Sequence, residues 1–307
     1  MILLCGIPSE APLRLVRQAA ERLGVEAVLF NQRLSSGIKL DGQVSSLPGK
    51  GFTLDGTLTT QEHVHPLDVF SGVYVRLMDY QALPEFDGAA AAHITRLHTA
   101  LINWLEVGEL RVMNRLGAMG SNQSKPYQAQ LIAEAGFLTP PTLITNDPAA
   151  VSEFLFQHGR VIYKSISAVR SVVQELTRSR LQALGKIRYL PVQFQAFIPG
   201  DNLRVHVAGK QVFATLLHSD AVDYRYAGHA GLDLAMESVE IEEEVKQRCR
   251  RLSRRLGLPL CGIDLKRTPE GAYYCFEVNP SPAFSFYQEN TGQDIAEAIV
   301  RWLAALL

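Results

Sequence analysis

The chain contains no apolar run of about 18 residues, the length a membrane-crossing helix needs, so no membrane partner is expected. Cysteine is scarce: Cys5, Cys249, Cys261 and Cys275 are the whole supply in 307 residues, and no two form a CxxC pair. That argues against disulfides and structural zinc, and for a reducing, cytoplasmic setting. Neither sign of charge dominates. Thirty Lys and Arg against 31 Asp and Glu leave a net charge of −1, which gives no reason to expect nucleic acid as a partner. No GxxxxGK[ST] loop is present, no GxGxxG follows the first strand and no HRD-type catalytic loop occurs. P-loop NTPase, dinucleotide-binding and kinase readings therefore lose their support. The opening MILLCGI lacks a basic region and a cleavage site, so it is read as a strand rather than a secretion signal.

What is present is a core-forming chain with 47% hydrophobic residues. The pattern predicts three segments, with boundaries at residues 1–112, 113–190 and 191–307. The first reads as βαβ: Ile2 to Cys5, a helix over Leu13 to Leu23 stopped by Gly24, then Val25 to Phe30. Asp55-Gly56, flanked by Phe52 and Leu58, predicts a hairpin turn. Val73 to Leu77 reads as a strand and Phe86 to Leu105 as a helix. The second segment opens with a loop, Met113 to Ser124. A helix from Pro126 to Glu134 follows, with Ser124 as its cap. Then come an edge strand at Pro140 to Thr145, a helix over Ala149 to His158 and a strand Arg160 to Lys164. The third segment predicts strands Val192–Ile198, Leu203–Ala208 and Gln211–Leu217, a loop over Asp220 to Asp233, a helix Ile241–Leu256 and a final helix Asp294–Leu306. The run of arginines between Arg248 and Arg255 follows three glutamates, Glu242 to Glu244. Acids at one end and bases at the other complement the helix dipole, which explains the run without a nucleic-acid partner.

The chemistry concentrates late. Cys261 to Lys266 and Tyr273 to Asn279 read as two strands around a turn at Glu270-Gly271. Asp264 then opposes Glu277, Ile263 opposes Val278 and Leu265 opposes Phe276, with these four apolar residues on the core face. Asp264, Glu277 and Asn279 share the other face. Opposed carboxylates about 5 Å apart repel unless a cation lies between them. Two carboxylates and an amide oxygen suit Mg2+, with phosphates and waters completing its shell. A solvent-facing pair with a chance Asn is the plainer alternative. A glycosidase pair would sit too close to admit sugar and water. Phosphate would need cations, and Lys164 at a strand end and Lys125 at a helix N-terminus could supply them.

Lys125, Lys164, Gln195-Ala-Phe197-Ile198, Arg204 and Gly-Ile-Asp264 through Phe-Glu277-Val-Asn279-Pro-Ser-Pro, in that order, resemble the ATP-grasp superfamily. Within it they resemble the branch of RimK-like ligases and glutathione synthetase. The resemblance covers residues from about 113 to the C-terminus and implies an α+β fold of two subdomains gripping ATP behind a small α/β N-terminal domain. It implies that Lys125 and Lys164 contact the ATP phosphates and that Gln193 and Gln195 lead into a strand whose backbone at Phe197 and Ile198 recognises adenine. It also implies that Asp264, Glu277 and Asn279 hold two Mg2+ ions, with Mn2+ as an alternative. Arg204 would face the transferred phosphate, and Arg225 would match the family's loop arginine. The implied activity is a carboxylate–amine ligase working through an acyl phosphate. Its substrate would be a small amino acid or a peptide, and a maturase closing side-chain amides or esters in a ribosomal peptide is a variant of that reading. A nucleotide-binding regulatory domain without chemistry is the non-enzyme alternative. The family's dimers and tetramers leave a homo-oligomer open. The chain departs from the pattern in the glycine-free loop Ser165 to Ser171, in the neutral or ambiguous choices at Asp201 and Asn202 near the expected ribose contact, and in Ala227 after the loop arginine.

Other residues have two readings each. His206 either points toward the site or is a satisfied sheet histidine. His63 and His65 could hint at metal, but a surface strand explains them. Arg76, Arg170 and Ser281 are candidate substrate contacts, Arg76 for a substrate carboxylate. Trp104 and Trp302 read as core. Cys275 would share the face of Glu277, as packing rather than as a nucleophile.

Overall fold

The computed structural model describes residues 1–47, 51–60, 63–107, 110–164, 173–218 and 235–306. Arg170, Arg225, Ala227, the loop 165–171 and the predicted loop 220–233 lie outside the described residues.

The chain opens with β1 (Ile2–Gly6), α1 (Ala11–Arg22) and β2 (Ala27–Asn31). β3 (Lys39–Leu47), β4 (Gly51–Thr59) and β5 (Val64–Pro66) form a small antiparallel sheet. β6 (Gly72–Arg76), α2 (Gly88–Glu106) and β7 (Arg111–Met113) return to the first sheet, whose order is β2-β1-β6-β7 and whose strands are all parallel. Buried on both faces, β1 is a continuous apolar run, as a parallel strand between helices must be. α2 covers one face through Leu97, Leu101, Trp104 and Leu105. The other face meets α1 and, unexpectedly, the C-terminal helix.

The middle of the chain contributes α3 (Lys125–Glu134), β8 (Thr142–Thr145), α4 (Pro148–His158), β9 (Val161–Lys164), β10 (Gln174–Glu175), α5 (Arg178–Leu181) and β11 (Val192–Ala196). Their strands make an antiparallel sheet ordered β10-β9-β11-β8, with β8 at its edge as predicted. Asp147 caps α4 by accepting from the Ala149 N–H at 2.9 Å.

The last sheet, β14-β13-β12-β15-β16, is also antiparallel. It is built from β12 (Asp201–Ala208), β13 (Gln211–His218), β14 (Ala235–Val239), β15 (Leu260–Arg267) and β16 (Tyr273–Asn279). α6 (Glu243–Leu256) lays Val245, Cys249, Leu252 and Leu256 on its core face, and Gly257 ends that helix in the left-handed region at φ +66°. Two helices close the chain, α7 (Phe284–Thr291) and α8 (Ile295–Leu303). α8 packs Ile295, Ile299, Val300 and Leu303 with Ile2, Leu4, Leu13 and Val16 of the first sheet and helix. The last helix thus completes the first layer.

Several expectations need correction. Asp55-Gly56 is not a turn but lies inside β4, where Gly56 opposes Gly42. A Cβ on Gly56 would come within 2.1 Å of the Asp41 carbonyl oxygen, so this glycine serves close strand approach. Met113 to Ser124 is not a plain loop: Met113 ends β7 and residues 117–123 form a 3-10 turn. Ser124 does sit at the cap of α3, but its side chain makes no capping bond. β14 and α7 were not foreseen.

Candidate functional site

The hairpin of β15 and β16 pairs Asp264 with Glu277 and Ile263 with Val278, as the alternation predicted. The expected pairing of Leu265 with Phe276 fails. A bulge after Asp264 brings Leu265 opposite Cys275 and leaves Phe276 as the extra residue. Cys275, expected on the face of Glu277, is therefore turned into the core at 1% exposure. Phe276 moves the other way and joins Glu277 in lining the cleft.

The sheet sets a polar row across its strands. Register places Ser238 beside Thr215, Thr215 beside Arg204, Arg204 beside Asp264, and Asp264 beside Glu277. Arg204 Nη1 donates to Asp264 Oδ1 at 2.7 Å, and Asn279 Nδ2 lies 3.4 Å from Asp264 Oδ2. Arg204 reaches across because Gly262 leaves room: a Cβ there would stand 2.1 Å from Arg204 Nη2. Thr215 donates to Gln293 Oε1 at 3.0 Å, which anchors the far end of the row.

Facing this row is the central sheet. Lys164 opposes Gln193 and Ile162 opposes Gln195, so these four share one face. Between the sheets lies a pocket lined by Ile162, Lys164, Gln195, Phe197, Ile198 and Asn202 together with Asp264, Lys266, Phe276 and Glu277. Six residues singled out from sequence thus meet there: Lys164, Gln195, Phe197, Ile198, Asp264 and Glu277. Arg204 and Asn279 do not line the pocket but touch Asp264. Lys125, half-buried at the start of α3, is not among the lining residues.

Sequence reasoning missed Lys266. It lies two residues from Asp264 on the same strand face, a spacing that could have revealed it. Its Nζ sits 5.0 Å from the centroid of the Phe197 ring, whose other neighbour is the Arg160 guanidinium at 3.7 Å. Burial, and then the Arg160 charge, lower the Lys266 pKa. Two buried amides were missed as well. Gln128 donates to the Val278 carbonyl and accepts from the Val278 N–H, both at 2.9 Å, so α3 grips the residue between Glu277 and Asn279. Asn114 donates to the Leu260 and Pro280 carbonyls at 2.6 and 2.5 Å and accepts from the Leu260 N–H at 3.0 Å.

Arg76 and Ser281, both candidate substrate contacts, meet each other. Arg76 Nη1 donates to Ser281 Oγ at 3.0 Å and approaches the Pro282 carbonyl at 3.4 Å. His206 is fully buried against the Tyr287 ring, and neither ring nitrogen has a partner, so the satisfied-histidine reading fails. Burial, then the Arg204 charge, hold its pKa well below the ordinary value. His63 and His65 stack edge-on 6.1 Å apart. Among the described residues no cluster of three His, Cys, Asp or Glu side chains forms around them or elsewhere. They border a hollow beside β2 of about 590 Å3, larger than the roughly 100 Å3 pocket between the sheets. The smaller pocket is nevertheless the candidate site, because Asp264 and Glu277 converge there with Lys164 and Lys266, whereas the larger hollow has Glu21 and Glu26 but no lysine.

Carboxylate and amide oxygens at Asp264, Glu277 and Asn279 are hard donors that fit Mg2+, with one Asp264 oxygen already engaged by Arg204.

A family model described as the RimK-like ATP-grasp domain matches residues 122–303. A protein of Stenotrophomonas maltophilia carrying the name "Probable alpha-L-glutamate ligase" is 28% identical over 233 residues, covering 70% of this chain and 76% of its own length. Among solved structures, the ATP-grasp ligase PsnB, complexed with a phosphomimetic variant of a minimal precursor, Mg and ADP, superposes with a TM-score of 0.75 at 27% identity, over 99% of this chain and 98% of its own. The macrocyclase MdnC of Microcystis aeruginosa, bound with a precursor peptide, has a TM-score of 0.76 at 23% identity, over 99% of this chain and 100% of its own.

Proposed function

This chain belongs to the RimK-like ATP-grasp family, and from that premise we propose that it is an ATP-dependent ligase that activates a carboxylate of a peptide substrate. The observation that carries the reading is the row Arg204–Asp264–Glu277 facing Lys164 across one pocket. The peptide substrate is favoured over a free amino acid because the whole-length likeness to PsnB, solved with a minimal precursor, has a TM-score of 0.75, against 0.58 for a D-alanyl-alanine synthetase. The glutamate ligase matches 70% of the chain.

In this reading the adenine lies among Ile162, Ile198 and Phe276. The Phe197 N–H already donates to the Arg160 carbonyl at 2.9 Å, so the base contact falls to the Ile198 N–H. The triphosphate runs toward Lys164 and the carboxylates, Lys125 adds positive charge, and family resemblance gives Arg225 a phosphate contact and leaves Arg170 for the substrate. Asp264, Glu277 and Asn279 hold Mg2+, two ions by family resemblance with Mn2+ as a substitute, and the metal when bound supplies charge neutralisation for the phosphates. A substrate carboxylate oxygen attacks the γ-phosphorus, the bond to the β-phosphate oxygen breaks, and ADP leaves. An amine then attacks the acyl carbon, phosphate departs, and an amide forms. Arg204 neutralises charge on the transferred phosphoryl group, and the protein otherwise positions its reactants. The present pocket of about 100 Å3 is smaller than the roughly 300–1,000 Å3 of ligand sites, so the two sheets part to admit ATP. Release of ADP and phosphate on mixing the chain with MgATP and acidic peptides tests the proposal. Release with free amino acids alone would shift the substrate to a small molecule, and release with neither would refute ligase activity.

A further inference from the structure

Gln195 lines the nucleotide pocket, is 6% exposed, and carries a side-chain oxygen with no hydrogen-bond partner. Which end of an amide faces a pocket is decided by its neighbours, and here the neighbours settle it. Thr142, opposite Gln195 on β8, has one hydroxyl proton to give. It gives that proton to the Pro140 carbonyl, 2.9 Å away. Toward Gln195 the same hydroxyl can then only accept, and it accepts from Gln195 Nε2 at 3.0 Å. The Gln195 nitrogen is thereby held on the strand and Oε1 is left over as a buried, unsatisfied acceptor.

We propose that Thr142 sets the purine-base selectivity of this site by fixing Gln195 with its acceptor oxygen toward the base. The inference rests on the reading that ATP occupies this pocket. A 6-amino purine brings a donor to that oxygen, which relieves a buried unpaired group. A 6-oxo purine brings a second acceptor, and its N1–H also meets the Ile198 N–H as donor against donor. Sites that hydrogen-bond a polar group reject the analogue with the reversed group strongly, because their own buried atoms are left unpaired. Thr142 touches no nucleotide in this account. It is a positioning residue acting through Gln195.

Titrating the purified chain with MgATP and MgITP tests this, because inosine and adenosine nucleotides differ only at the 6-position and its coupled N1 proton. The wild type is expected to bind ATP at least tenfold more tightly than ITP. Thr142→Val frees the Gln195 amide to rotate, so the ATP:ITP affinity ratio should fall several-fold, by weaker ATP binding and stronger ITP binding together. Thr142→Ser keeps the hydroxyl and should keep the ratio. Thr142→Val combined with Gln195→Glu should restore it, since a carboxylate presents an acceptor whichever way it turns. A merely structural role for Thr142 would weaken both nucleotides alike and leave the ratio unmoved. A Thr142→Val ratio within twofold of wild type overturns the inference while leaving the ligase reading intact. A folded wild-type chain that binds neither nucleotide overturns both.

Discussion

Several residues of the pocket wall or behind it are held by named neighbours, Asp264 by Arg204 and Gln195 by Thr142, and single substitutions should report that. Asp264→Asn and Glu277→Gln remove negative charge that Arg204 faces and that the proposed Mg2+ would need. Turnover should fall by about a hundredfold or more while the unfolding midpoint barely moves, as measured by ADP release and thermal melting. Wild-type rates in either variant would remove the metal assignment. Gly262→Ala puts a methyl where the Arg204 guanidinium now lies. The obstructed atoms belong to the end of a flexible side chain, so the fold should survive and the loss should appear in kcat. Outside the site, His98 is stacked on Tyr80, edge-on to Phe30 and buried, with its pKa lowered to about 4. The unfolded chain takes up a proton near pH 6.5 that the native chain refuses, so stability is full above that pH and declines between about 6.5 and 4. The unfolding free energy from urea titration should fall by roughly 1.4 kcal/mol per pH unit in that window, and His98→Phe should flatten the slope. At this scale the sequence reveals residue types and spacing but not long-range partners. Asp264 and Glu277 were legible because a hairpin pairs near neighbours in the chain. The bonds from Gln128 and Asn114 span 150 and 146 residues, and no local pattern announces them.

Among the elements, β16 shows how an edge strand is made useful. Its outer side would expose unpaired N–H and C=O groups. Leu138 covers Tyr273 and Cys275 by backbone bonds of 3.2 and 2.8 Å, and Gln128 covers Val278. Gln128→Ala strips two buried backbone groups of their partners at once, which should cost about 2–4 kcal/mol by chemical denaturation. Because Val278 lies between Glu277 and Asn279, catalytic activity should fall more steeply than stability at temperatures where the variant is still folded. The bulge on the same strand also shows where alternation stops informing. Period two correctly aligned residues 277 to 279 with 262 to 264, but one inserted residue exchanged the faces of Phe276 and Cys275. Most predicted helices and strands came through because their apolar spacing is regular and their ends carry Asp, Gly or Pro. β14 was missed because Ala-Met-Glu-Ser-Val is short and does not alternate apolar with polar, and the turn misplaced at Asp55-Gly56 came from reading a packing glycine as a bend.

For the whole molecule, the sequence pointed to an α/β start and an antiparallel remainder, and the structure has both. What could not be read is that α8 belongs with the first sheet. Its stripe of Ile295, Ile299 and Leu303 is amphipathic in sequence, but amphipathicity does not say which sheet it covers. Packed with Ile2, Leu4 and Val16 on one side and with Ala208 and Leu260 on the other, α8 joins the first and last sheets in one apolar cluster. Unfolding followed at Trp104 and by far-ultraviolet circular dichroism should therefore give coincident transitions. Ile299→Ala should lower both together by about 2–5 kcal/mol. Two separated transitions would mean the lobes melt on their own. The same helix bears on biosynthesis. On a ribosome that makes the N-terminus first, Ile2, Leu4, Leu13 and Val16 emerge some 290 residues ahead of the helix that shelters them. The early lobe keeps that greasy side open until α8 has been made, so cutting the chain before Ile295 should cost far more stability than the number of residues removed suggests.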